Sequence, residues 1–135
     1  VNLSTHFPWI GLRTADVEGA HVDYFRGIRN PLGIKIGPDM TPEDLLELLE
    51  ALDPDLEPGR VTLIHRMGHE IVAERLPALV EAVLGAGRTV LWCCDPMHGN
   101  TETTTTGRKT RRFDNILSEL EQSFEIHAGL DSYLG

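Results

Sequence analysis

Apolar residues recur along this chain with two periods, and the two alternate. Short β-branched runs bounded by glycine or proline occur at GIKIGP (33–38), RVTLIHRMG (60–68) and TVLWCCD (89–95). Runs of that kind predict buried strands. Between them the apolar positions return at helical spacing. Leu45, Leu46, Leu48, Leu49 and Leu52 follow Thr41-Pro42-Glu43-Asp44, a capping start with proline at the first helical position, and DPDLEPG closes that helix. Ile71, Val72, Leu76, Leu79, Val80, Val83 and Leu84 form a stripe within 69–87, where Pro77 predicts a kink or a shorter helix. A last helix beginning near Arg112 is expected to present Phe113, Ile116, Leu117, Leu120, Phe124 and His127 on one face. Upstream, FPWIG (7–11) reads as a strand and GAHVDYFRGI (19–28) as a helix.

Four consecutive strand–helix units imply an α/β fold with a parallel sheet covered by helices, in one domain spanning 1–135. Two architectures suit the pattern: part of a (β/α)₈ TIM-type barrel, and a small doubly wound, flavodoxin-like sheet. No G-x-G-x-x-G follows a strand, so a dinucleotide fold has no support. The polar stretch TETTTTG (101–107) reads as a loop. Four units cannot close an eight-stranded barrel; they would leave two sheet edges and an apolar inner face open. The expectation is therefore a piece of a longer enzyme, a chain that pairs with a complementary polypeptide, or a homo-oligomer. The first residue, Val1 in place of an initiator Met, favours a fragment or a processed product.

Composition narrows the partners more than the fold. A net charge of −9 argues against nucleic acid or an anionic membrane, both of which demand a basic surface. No apolar run approaches the ~20 residues that span a bilayer, and no signal peptide opens the chain. The only two cysteines are the adjacent Cys93 and Cys94, which cannot form an ordinary loop disulfide with each other. A reducing, cytoplasmic setting is the expectation.

Against this acidic background, cations fall at the ends of the strands. Arg13 follows FPWIG, Lys35 lies inside GIKIGP, and Arg66 closes RVTLIHR. Asp95 and His98 lie just beyond TVLWCC. In parallel α/β folds the C-terminal strand ends share one rim, where ligands bind. A single arginine there is ordinary surface. Lys35 is more telling, because an ammonium within an apolar strand needs an anion beside it. Three cations on one rim point to a small anionic ligand carrying phosphate or carboxylate.

The stretch CDPMHGNT (94–101), followed by TGRKTRRFD (106–114), resembles the signature of the class II 3-deoxy-D-arabino-heptulosonate 7-phosphate (DAHP) synthases. WIGLRT (9–14), GAHVDYFRGIRNPLGIKIGP (19–38), PGRVTLIHRMG (58–68) and FEIHAGL (124–130) agree in order and spacing, so the resemblance covers essentially the whole chain. It implies a (β/α)₈ barrel that condenses phosphoenolpyruvate with erythrose 4-phosphate at a divalent metal, typically Mn²⁺, at the entry to the shikimate pathway and aromatic amino acid biosynthesis. It implies further that Arg13, Lys35 and Arg66 hold the phosphate and carboxylate of phosphoenolpyruvate. His98 would be a metal ligand, and Lys109 and Arg111 would lie near the sugar-phosphate end. Lys35, Arg66 and His98 are then the candidate catalytic groups. Gly99 would let the backbone turn closely, and Asp95 would orient neighbouring groups.

The resemblance also implies what is missing. Of the family's four metal ligands only His98 falls in this chain, so the metal is not expected to be held by these residues alone. Leu12 stands where the family pattern has an acidic residue. The alternative function is a non-catalytic domain that keeps the cationic rim and binds a phosphorylated metabolite or a protein partner. The remaining unusual residues read as structural. His65 and His69 lack the H-E-x-x-H spacing of a helical zinc site. Cys94 reads as packing, and Cys93 and Cys94 must face opposite sides of their strand. His6 and His21 read as surface or structural groups and His127 as a core or interface residue. Trp9 and Trp92 read as packing near the barrel interior, and Glu119, Glu121 and Glu125 as the solvated face of a helix.

Overall fold

The structure is a computed structural model that describes residues 5–135. Its central element is a parallel four-stranded sheet: β1 (Trp9–Ile10), β2 (Leu32–Ile36), β3 (Val61–His65) and β4 (Leu91–Cys94), paired in the order β1-β2-β3-β4. The helices are α1 (Ala20–Arg26), α2 (Pro42–Leu52), α3 (Val72–Gly85) and α4 (Phe113–Gly129). The chain is thus α/β, with four helices on a four-stranded parallel sheet. That arrangement suits a segment of a barrel and a small Rossmann-like unit alike.

Local chemistry accounts for the starts of α2 and α3. Thr41 Oγ1 accepts the Asp44 N–H at 3.1 Å, and Pro42 occupies the first turn of α2, so the predicted cap is present. Leu45, Leu48, Leu49 and Leu52 are buried along that helix. α3 runs through Pro77 without a break in the assigned helix, and it starts at Val72, three residues later than the pattern predicted. The Gly68 carbonyl takes the N–H groups of Ile71 and Val72 at 3.1 and 3.0 Å, which uses residues 69–71 as a lead-in turn.

Side-chain alternation gives the sheet two different faces. Ile10, Leu32, Ile34, Ile36, Val61, Leu63, His65 and Trp92 are buried and share the helix-covered face. The register Ile34↔Leu63↔Trp92 and Ile36↔His65↔Cys94 puts Cys94 on that face too. The other face carries Trp9, Gly33, Lys35, Thr62, Ile64, Leu91 and Cys93. It is thinly covered: Trp9 is 59% and Leu91 46% exposed. Leu134 bridges in parallel to Trp92, and the Gly135 N–H donates to the Trp92 carbonyl at 2.9 Å, so backbone pairing continues past the β4 edge.

Four expectations need correction. The threonine-rich stretch is a loop only over 104–107. Its start forms β5 (Thr101–Thr103), which pairs antiparallel with β6 (Lys109–Arg111). Threonine is β-branched and favours strands, while Gly107, at φ +79°, turns the hairpin. Trp92 packs under the helices beside His127, with ring centroids 5.3 Å apart, and so lies on the helix-covered face, whereas Trp9 stands on the opposite, thinly covered face. The predicted apolar stripe of α4 is only partly buried: His127 is in the core as expected, but Phe113, Leu117 and Phe124 are exposed, and Glu119 and Ser123 take the other buried positions. Glu119 is therefore not on a solvated face; it is fully buried.

Candidate functional site

The ends of β2, β3 and β4 deliver one connected cluster. Lys35 lies on the thinly covered face of β2. The backbone bonds Arg66 N–H→Ile36 O (2.9 Å) and Asp95 N–H→His65 O (2.8 Å) extend the ladder one residue past β3 and β4, which by alternation returns Arg66 and Asp95 to the side of Lys35. The Lys35 ammonium donates to Asp95 Oδ2 in a partly buried ion pair. The apolar strand's need for an anion is thus met from within the chain, so Lys35 alone does not require a ligand.

Asp95 is the hub of this cluster. Its carboxylate accepts the backbone N–H groups of Met97 and His98 at 3.2 and 3.3 Å, an Asx-type turn that shapes the 95–98 segment. It also meets His98 Nδ1 at 2.9 and 2.7 Å. Burial by itself would raise the Asp95 carboxyl; the hydrogen bonds from Lys35 and His98 and the Lys35 charge outweigh it and hold the group down at about 2. With Nδ1 occupied, the exposed His98 ring keeps Nε2 for another partner. A carboxylate behind an imidazole is the arrangement that orients metal-binding histidines.

Arg66 reaches over the same turn and donates through Nη2 to the His98 carbonyl at 2.8 Å, while its Nε is buried with no acceptor among the described residues. Arg111 donates from Nε to the Met97 carbonyl at 2.7 Å, so the β5–β6 hairpin is pinned to the loop that carries His98. Lys109 is exposed at the start of β6. Arg13 lies elsewhere, exposed on a short 3₁₀ turn, in a groove shared with Asp16, Glu18, Asp39, Asp44 and Glu47. The structure therefore joins Lys35, Arg66, His98 and Arg111 around Asp95, and it does not bring Arg13 or Lys109 into those contacts. Leu12 packs over Gly37, where an added Cβ would sit 2.8 Å from its Cδ1.

Two supporting residues escaped the sequence reading. Asn100 Oδ1 accepts the His69 N–H at 3.0 Å and lies 2.8 Å from His69 Nδ1. Its amide donates to the Pro96 carbonyl at 2.8 Å and to Glu119 Oε2 at 2.6 Å. Glu119 Oε1 in turn accepts the Met67 N–H at 2.8 Å. Together they lock the 95–100 loop to the end of β3 and to α4. The only hint in the sequence was that Glu119, Ser123 and His127 recur every four residues.

Gly99 makes that docking possible. A Cβ there would lie 2.5 Å from the Gly68 nitrogen and 2.9 Å from the Met67 carbonyl carbon, both backbone atoms that cannot rotate away. Gly99→Ala is expected to cost about 2–4 kcal/mol through backbone displacement, read as a lowered urea midpoint. An unchanged midpoint would mean that the two loops are free to separate.

An α/β chain with a cationic, histidine-bearing rim at its strand ends is a candidate for binding and turning over a small anionic substrate. The whole chain, residues 1–135, matches the model of the class-II DAHP synthetase family, and it belongs to that family. It is 54% identical to a phospho-2-dehydro-3-deoxyheptonate aldolase of Neurospora crassa and 48% identical to one of Streptomyces coelicolor, each over 99% of this chain. It is 50% identical over 92% of its length to a probable chloroplastic phospho-2-dehydro-3-deoxyheptonate aldolase of Catharanthus roseus. These matches cover 28%, 30% and 25% of the respective relatives, so the chain spans less than a third of their length. No helix among the described residues is long and apolar enough to cross a membrane.

Proposed function

We propose that this chain is the phosphoenolpyruvate-binding segment of a DAHP synthase-type transferase, one that joins phosphoenolpyruvate to erythrose 4-phosphate. The observation that carries the reading is the buried, acceptor-less Arg66 Nε beside the Lys35–Asp95 pair. An arginine fork with an unused buried donor lacks an acceptor that a phosphate or carboxylate oxygen supplies. Lys35 adds a compact positive charge next to it, and Asp95 keeps that ammonium in place. Arg13 joins the substrate site only if its 3₁₀ turn moves toward β2. Lys109 and Arg111, on the hairpin that Arg111 pins to the His98 loop, are the residues we assign to the second phosphorylated substrate.

The four strands in sequence order, without reversal, support successive units of a (β/α)₈ barrel; a flavodoxin-like sheet reverses its strand order. The thinly covered face bearing Trp9 and Leu91 would then look into the barrel, with the remaining units supplied by further polypeptide. For the divalent metal that the family uses, manganese in our reading, His98 suits one ligand position, since Asp95 fixes Nδ1 and leaves Nε2. Asp95 itself is committed to Lys35 and His98. Among the described residues the cluster lacks a full ligand set for such an ion.

Calorimetric titration of phosphoenolpyruvate into the purified protein, with and without Mn²⁺, tests the reading. We expect weak, metal-independent binding. Arg66→Ala should weaken it about tenfold to a hundredfold, the worth of a charge-assisted fork, and Arg66→Lys should restore only part. Absence of binding to a protein shown to be folded would leave the non-catalytic alternative, in which the motif survives as scaffold.

A further inference from the structure

On the opposite face of the sheet, three side chains of metal-binding type converge. His65 ends β3, Cys94 ends β4, and Glu119 faces them from α4. A ring nitrogen of His65, the Cys94 thiol and a Glu119 carboxylate oxygen all lie within 4.8 Å of one another. His65 and Glu119 are fully buried and Cys94 is partly so. Neither ring nitrogen of His65 has a hydrogen-bond partner among the described residues. An imidazole buried with both nitrogens unanswered is costly, because each has lost water without replacement. The other members are only partly occupied. Cys94 Sγ has a long contact, 3.7 Å, to Ser123 Oγ. Both Glu119 oxygens accept a hydrogen bond, the pattern of a carboxylate, and each keeps a lone pair.

We propose that His65, Cys94 and Glu119 form a buried structural site for a zinc-type divalent cation that ties β3, β4 and α4 together. The donor set of one imidazole, one thiolate and one carboxylate is what such borderline-soft ions take. Charge favours it as well. Loss of the Cys94 proton to solvent leaves two anionic ligands, which cancel the dication, so the buried complex is neutral. Bond lengths of ~2.0–2.3 Å put ligand atoms about 3.3–3.8 Å apart, so the three side chains close in by roughly an ångström. Without the ion, burial pushes the Cys94 thiol up to about 12, against the pull of Ser123, which keeps it a thiol. The proposal is independent of the substrate site, since His65 and Cys94 point away from Lys35.

Cobalt(II) is the probe. One equivalent added to the purified protein should produce a sulfur-to-cobalt charge-transfer band in the near ultraviolet, and zinc should abolish it. Cys94→Ser should lose the band entirely, while Cys93→Ser and His98→Ala should keep it. Zinc should raise the thermal midpoint of the wild type and not that of Cys94→Ser. A second readout needs no variant: zinc should protect Cys94 from alkylation, located by peptide mass, and leave the Cys93 rate unchanged. Absence of the band in a folded protein overturns the site. So does a band that survives Cys94→Ser or disappears with Cys93→Ser, or equal protection of both cysteines.

Discussion

Replacing Glu119 with alanine is expected to destabilise the metal-free protein by about 3–5 kcal/mol, because it leaves buried hydrogen-bond donors unsatisfied. Two donors lose their acceptor at once, the Met67 N–H and the Asn100 amide, and a buried volume opens beneath α4. The effect should reach the candidate site, since Asn100 holds the 95–100 loop through Pro96 and His69. Glu119→Gln keeps the shape and one acceptor but turns an NH₂ toward a donor, so an intermediate loss of about 1–3 kcal/mol is expected. Urea unfolding of both variants in a chelating buffer measures this. A loss below about 1 kcal/mol for Glu119→Ala would show that water replaces the carboxylate and that the network is not a single unit.

The second large effect is an acid limb set by His65. Burial, reinforced by neighbouring His127 and only partly opposed by Asp95, pushes the His65 imidazole down to about 3. Its ring lies against His127 at 5.9 Å and Trp92 at 6.4 Å between centroids, with Cys94 and Glu119 on the remaining side. His127 is also lowered by burial. The native protein therefore binds fewer protons than the unfolded chain, so stability rises with pH. The His65 contribution is complete above the unfolded value near 6.5 and is lost as pH falls toward about 3. That amounts to roughly 2 kcal/mol between pH 7 and 5 and about 5 kcal/mol once both states are protonated.

His65→Phe separates this effect from general acid unfolding. It puts a somewhat larger apolar ring in place of the imidazole, carries no titrating group and removes two unpaired polar atoms. In metal-free buffer the variant should be as stable as the wild type at pH 7, or more so, and should lose less on acidification. Urea midpoints at pH 7 and pH 5 give the comparison. Equal pH slopes in the two proteins would place the acid sensitivity elsewhere.

The sequence by itself determined the elements that depend on neighbours along the chain. The capped start of α2, the three apolar strands and the breaks between them follow from local periodicity and backbone chemistry, and all appear within a few residues of their predicted bounds. The cationic character of the strand ends was equally legible, because strand polarity fixes which ends share a rim. The hairpin over 101–111 was missed because threonine serves loops and strands alike, and only pairing with Lys109–Arg111 decides between them. On α4 the buried face is offset from the apolar stripe for a related reason. An apolar stripe tells which face could be buried, but the backbone donor of Met67 and the amide of Asn100 needed a carboxylate, so the polar stripe turned inward. Lys35 finding its anion in Asp95, 60 residues away, and His65, Cys94 and Glu119 meeting on the far face are likewise products of strand register and helix docking. Those pairings depend on distances across the sheet, which no local pattern carries.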